Sequence, residues 1–215
     1  PLQRDWLVEG MTQSQALWQV WANEVFLGEL SFGEPGAHQL IANTDAWDGY
    51  GAERAHILSA FREGGVENLV ALTGDLHTFM AAYLKLDHAR PSNREPDNVL
   101  GVEFMTPAIT SSNLANLAGV DQPPARDWGS PVLNRILPRY FLESLARSTN
   151  PHIRFFNSQD WGYSTILFTR THCEWTAYVV DKSVNEFRAP RREIQCLRVP
   201  VGTHRIELGP IGDES

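Results

Sequence analysis

The sequence predicts an α/β fold: a mixed β-sheet arrangement with helices on the outside. Three observations carry this. Helix-patterned and strand-patterned stretches alternate over the first half of the chain. Three strand-patterned runs, "IRFF", "YSTILFTR" and "EWTAYVVD", then follow one another, the last two separated by a short polar turn that reads as an antiparallel hairpin. The order helix, strand, helix, three strands, helix, strands therefore fits a mixed sheet better than a purely parallel one.

Residues 3 to 15 place Trp6, Leu7 and Met11 near one helical face. In "WQVWANEVF", Trp18, Val20 and Ala22 recur with the period of a strand. Residues 33 to 51 are turn-rich, with Gly33, Pro35 and Gly36 ahead of "NTDAWDGYG". A helix follows, with Ala55, Leu58 and Phe61 on its buried side, and Gly64-Gly65 stops it. Residues 69 to 72, "FMAAYLKL" and "VLGVEFM" read as strands, and the polar stretch 87 to 98 between the last two as a surface loop. Residues 111 to 131 are too proline-rich for regular structure, and 132 to 148 read as a helix interrupted near Pro138. The tail "QCLRVPVGTHRIEL" alternates less cleanly.

A length of 215 residues suffices for one domain with a sizeable core. No stretch approaches the roughly 20 apolar residues of a membrane span, and no signal peptide is legible. The chain starts at Pro1 rather than Met, which reads as processing or trimming. A formal net charge of -8 argues against a nucleic-acid surface. Arg188, Arg191 and Arg192 form the only basic cluster and read as a solvated loop. Cys173 and Cys196 belong to no C-x-x-C pattern; they read as buried thiols, with a single disulfide as the alternative. There is neither a G-x-S-x-G nucleophile elbow nor a P-loop.

The chemistry concentrates in "LVALTGDLHTF", residues 69 to 79. An aspartate and a neutral imidazole can share one hard or borderline cation, or bind two neighbouring ones. On an extended chain Asp75 and His77 would point to the same side. Gly74 would let a ligand approach, and Thr73 and Thr78 would supply supporting hydrogen bonds. A polar strand end is the competing reading. "NTDAWDGYGAER" comes second: Trp47 and Tyr50 as pocket walls, Asp48 as an orienting group, Arg54 pairing with Asp45 or Asp48 or reaching a substrate phosphate. The alternative there is a rigid loop in which Asp48 or Tyr50 satisfies backbone groups. Glu103 reads as a structural carboxylate, His152 as a surface histidine, and Trp18, Trp21, Trp161 and Trp175 as core or sheet-face residues.

Four ordered stretches carry a resemblance. "NTDAWDGYGAERAHIL", "NLVALTGDLHTFMAA", "GVEFMTPAITSS" and "NPHIRFFNSQDWGY" together resemble the C-terminal half of PhoD-like alkaline phosphatases and phosphodiesterases, and the opening "QRDWLVEGM" resembles that family's Q-x-x-W-L helix. The resemblance runs over residues 1 to 190, leaving 191 to 215 as a C-terminal strand and tail. It implies half of a four-layer metallophosphoesterase sandwich and hydrolysis of phosphate esters at a site holding iron with calcium. By carry-over, Asp75 would bind calcium and His77 iron. The family's early motifs are absent, so the resemblance also implies half a site. A partner chain carrying the N-terminal half would complete it; without one, this would be a non-catalytic fragment. Export to the periplasm or outside follows from resemblance alone.

Overall fold

In the computed structural model the described residues are 2–33, 40–41 (backbone only), 43–90, 92–117, 142–184 and 189–210. Helix α1 (Leu2–Gln13) is followed by β1 (Gln19–Ala22) and a small ribbon of β2 (Ser31–Phe32) and β3 (Leu40–Ile41). A 3-10 turn (Trp47–Tyr50) feeds α2 (Gly51–Glu63). Gly65, at φ 71, gives α2 its left-handed stop, with Gly64 and Gly65 donating back to Ala60 and Arg62. Strands β4 (Leu69–Thr73), β5 (Phe79–Lys85) and β6 (Val99–Met105) are near-continuous apolar runs, as strands covered on both faces must be.

These strands build a five-stranded sheet in the order β1-β4-β6-β5-β7, where β7 is Ile153–Asn157. β1, β4 and β6 are parallel, and β5 runs antiparallel to both β6 and β7. The carboxyl ends of β1, β4, β6 and β7 therefore share one edge. A second sheet, ordered β11-β10-β9-β8, is antiparallel throughout: β8 (Gly162–Phe168), β9 (His172–Val180), β10 (Arg191–Pro200) and β11 (Glu207–Leu208). The two sheets pack face to face. Between them Trp175, 1% exposed, stacks on Phe104 at 5.3 Å, with Phe79 and Phe155 edge-on to it. On the outer face of the first sheet Ile57, Leu58 and Phe61 of α2 pack against Trp21, Leu69 and Ala71. The α/β class and the helix-flanked pair of sheets are as the sequence predicts, and they make half of a four-layer sandwich.

Some local expectations change, while the buried thiols and the C-terminal strand stand. Trp6 is 73% exposed; the inward face of α1 is Leu7, Val8 and Met11. Ala55 is exposed, because the buried stripe of α2 runs through Ile57, Leu58 and Phe61 instead. Arg191 and Arg192 lie on β10 rather than in a loop, with Arg191 donating to the Tyr163 hydroxyl at 2.5 Å and lying over the Tyr178 ring. Arg188 lies outside the described residues. Residues 191–200 pair along the length of β9, so the C-terminal segment extends the second sheet. Within 111–131, Leu114–Leu117 is a short helix, α3, and residues 118–131 are not described. Residues 142–149 are helical (α4), while 132–141, with Pro138, lie outside the description. Cys173 and Cys196 are free, buried thiols on adjacent strands. Burial pushes the Cys173 thiol up to about 12, so it does not ionise at neutral pH.

Candidate functional site

The shared carboxyl edge of the parallel strands is where an α/β sheet offers a crevice to ligands. Backbone bonds bind its loops together: Asn23 donates to Leu72 at 2.9 Å, Gly74 to Glu24 at 3.1 Å, and Thr106 to Thr73 at 3.2 Å. Strand β4 ends at Thr73, and the chain then turns sharply. Leu76 N–H donates to the Gly74 carbonyl at 2.8 Å, two residues back. Asp75 has φ 67 and His77 φ 54. Two non-glycine residues in the left-handed region within three positions is uncommon, and such strain concentrates at functional sites.

This overturns one geometric premise. The turn, not strand alternation, sets the directions of Asp75 and His77. Gly74 keeps a negative φ, so the glycine is not where the unusual backbone sits. Asp75 is exposed and His77 partly buried. His77 Nδ1 donates to the Ser112 carbonyl, an acceptor only, so Nδ1 holds the proton and the Nε2 lone pair is left for a ligand. Such a backbone acceptor is the usual means of orienting an imidazole toward a metal.

The loop that provides Ser112 is itself held. Trp161 Nε1 donates to the Ser111 carbonyl at 2.6 Å, and Lys182 lies 4.1 Å above the Trp161 ring. The Lys182 ammonium also reaches the Thr110 and Ser111 carbonyls at 3.4 Å each. Asn113 donates to the Gln159 carbonyl. Leu114 N–H bonds the His77 carbonyl at 3.1 Å, closing the loop onto the turn. Thr73 and Thr78 do not support Asp75 and His77 directly. Thr73 donates to Glu103 at 2.8 Å and Thr78 to the Asn157 carbonyl at 2.7 Å.

Glu103 is the buried anchor under this edge. Its two oxygens accept the Leu27 and Gly28 N–H groups, at 2.9 Å each, and the Thr73 hydroxyl. Full burial raises its carboxyl to about 7 despite those donors. The structural reading of Glu103 stands.

The "NTDAWDGYGAER" residues divide. Asp48 accepts Leu30 N–H at 2.9 Å and pairs with Arg54 at 2.8 Å. Arg54 also donates to the Leu27 and Gly28 carbonyls. Trp47 packs edge-on against Trp21 at 5.7 Å and donates to Asn23 at 3.4 Å. Tyr50 is 61% exposed. Asp48, Arg54 and Trp47 thus hold the loop after β1 in place, and Asp48 satisfies a backbone group as the rigid-loop alternative has it. His152 is no surface histidine: it is 2% exposed and bonds the Glu29 carbonyl at 2.8 Å, because the turn after Pro151 folds inward under Glu29. Sequence reasoning also missed Lys182, which belongs to no motif, and the role of the Ser112 carbonyl, because a motif such as "GVEFMTPAITSS" records side chains and not backbone acceptors.

For a metal, the chemistry of the donor set is a carboxylate and an imidazole with its Nε2 left for a ligand, which suits hard and borderline cations. Among the described residues no group of three or more His, Cys, Asp or Glu side chains could hold a metal ion. Asp75 and His77 by themselves are too few donors to enclose a metal ion.

Fold and site together define a two-sheet α/β sandwich whose strained Asp-x-His turn sits at the carboxyl edge of its parallel strands. The model of the family described as PhoD-like phosphatase matches residues 1–177, and the chain belongs to that family. It is 31% identical over 175 residues to alkaline phosphatase D of Bacillus subtilis (strain 168), a match covering 81% of this chain and 25% of that protein. A solved structure described as "Structure of PhoD" superposes on 99% of this chain and 35% of its own, with TM-score 0.76 and 24% identity, a likeness of fold. The chain thus spans a quarter to about a third of the length of these relatives.

Proposed function

We propose that this chain is the part of a PhoD-like phosphatase that supplies Asp75 and His77 to a metal-dependent site for hydrolysing phosphate esters, either monoesters or diesters. The observation that carries this reading is the turn itself: two left-handed non-glycine residues, the second with its Nδ1 proton held by the Ser112 carbonyl. A bound metal would polarise the phosphoryl oxygens and supply a hydroxide nucleophile. Asp75, a hard oxygen donor, suits calcium, and the His77 imidazole suits iron. Both side chains act by orienting the metal rather than by moving a proton of the substrate. The remaining donors would come from the N-terminal half of the enzyme, whether on the same polypeptide or as a separate chain. Export to the periplasm or beyond accompanies this reading, as does independence from nucleic acid, which the net charge of -8 favours.

The test is turnover of an aryl phosphate monoester and diester by the enzyme carrying both halves. Asp75→Ala and His77→Ala are each expected to lower kcat/KM by about a hundredfold or more while circular dichroism stays unchanged. Undiminished turnover in both variants would remove the proposed roles. The 215-residue chain alone is expected to be inactive, since two protein ligands do not enclose such a centre.

A further inference from the structure

The edge of the first sheet opposite the Asp75 turn carries a second concentration of ionisable groups. Phe79 opens β5 beside that turn and Lys85 ends it, so six strand steps, about 20 Å, separate the two ends. Around Lys85 lies a cleft of about 400 Å³, bounded by α2, the end of β5 and the turn at 149–152. Its charged and titratable groups are Glu29 from the loop after β1, Arg54 from α2, Lys85, Asp87 and His88 from the end of β5 and beyond, and His152 from the turn.

His88 is the unexplained group. Its side chain is 6% exposed, and its Nε2 is buried with no hydrogen-bond partner among the described residues. Buried ring nitrogens left unpaired are rare and point to a missing partner. The ring meets His152 edge-on at 4.6 Å, but His152 spends its own Nε2 on the Glu29 carbonyl. The other ring nitrogen, Nδ1, lies 3.9 Å from a Glu29 carboxylate oxygen. Two cations share the cleft. Lys85 is buried and gives one N–H to the Arg90 carbonyl, which leaves two. Arg54 spends one terminal nitrogen on Asp48 and the backbone, while its other lies 3.9 Å from Glu29. Burial first, then the neighbouring His152, Arg54 and Lys85, hold the His88 imidazole well below its ordinary value.

We propose that this cleft binds a small tetrahedral oxyanion, of the size of inorganic phosphate, with Lys85 and Arg54 as charge partners and His88 Nε2–H as a donor. An anion seated against His88 Nε2 places negative charge and an acceptor beside the buried ring, which favours the imidazolium, so the ring takes up a proton as the anion enters. Glu29 then faces the Nδ1–H side of the imidazolium. This site lies at the other end of β5 from Asp75 and His77 and does not depend on the phosphoesterase reading.

The experiment is isothermal titration of the 215-residue chain, freed of metal by chelation, with phosphate and with sulfate. Sulfate does not titrate near neutral pH, so protons counted in two buffers of different ionisation enthalpy come from the protein. Both anions are expected to bind, sulfate with uptake of about one proton and up to about tenfold tighter per pH unit on acidification from pH 8 to 6. His88→Gln should abolish the proton uptake and flatten the pH dependence, and Lys85→Met should weaken binding at least tenfold. The Asp75→Asn, His77→Gln double variant should bind as the unsubstituted chain does. Absence of binding, proton uptake that survives His88→Gln, or loss of binding in the double variant would each overturn the proposal. If Lys85→Met does not fold, the His88→Gln comparison decides alone.

Discussion

Asp75 and His77, together with Asn68, are the described non-glycine residues whose backbone lies in the left-handed region. A left-handed aspartate carries conformational strain that a glycine would not. Asp75→Gly is therefore expected to leave the chain as stable or to raise its stability by about 0.5–1 kcal/mol in urea unfolding, while removing activity from the complete enzyme. A clear loss of stability would show that Asp75 is retained for the fold rather than for a ligand. Glu103 behaves in the opposite way. Each of its oxygens accepts a backbone N–H, so Glu103→Gln places an amide N–H₂ against Leu27 or Gly28. The expected cost at neutral pH is about 1–3 kcal/mol, read from the same unfolding curves.

The elements divide into those that hold the sheets together and those that hold the turn. Trp175, stacked on Phe104, joins β9 of one sheet to β6 of the other. Trp175→Ala is expected to cost about 3–5 kcal/mol, and a change below 1 kcal/mol would mean that the sheets are held elsewhere. The 106–113 loop should respond differently. Trp161→Phe keeps a ring beneath Lys182 but deletes the indole donor to Ser111, freeing the loop whose Ser112 carbonyl fixes His77. Stability should change by no more than about 1 kcal/mol, whereas metal affinity of the complete enzyme should fall about tenfold or more. The strands were legible because buried parallel runs such as "LVALT" and "VLGVEFM" leave few other readings. The Asp-x-His turn was legible as chemistry but not as geometry. A side-chain pattern does not record where the backbone turns left-handed, nor which carbonyl an imidazole will meet. Trp6 and Ala55 were misplaced for a related reason: helical period gives a face, and only the neighbouring layer decides which face is covered.

At the scale of the whole molecule, buried ionisable groups set the response to pH. His88 and His152 are both held below the ordinary 6.5, first by burial, His152 at about 4. In the pH range between their folded and unfolded values, unfolding takes up a proton at each, so stability falls as pH drops below 6.5. Glu103, raised from 4.5 to about 7, is protonated in the folded chain and ionised in the unfolded one across 4.5 to 7, so its contribution falls as pH rises through that window. The two histidines and the one carboxyl thus oppose each other between about pH 4.5 and 6.5. Glu103→Gln should make stability climb more steeply with pH across that interval, by about 1.4 kcal/mol per pH unit relative to the unsubstituted chain. The α/β class and the β8–β9 hairpin follow from the apolar patterning, whereas the strand order β1-β4-β6-β5-β7 does not, because pairing between distant strands leaves no local mark in the sequence. The most direct measurement of the central claim is metal content, by elemental analysis, of the purified complete enzyme beside its Asp75→Ala and His77→Ala variants. The account predicts bound metal in the parent and its loss, in whole or in part, in each folded variant. Full metal content in both variants would contradict it.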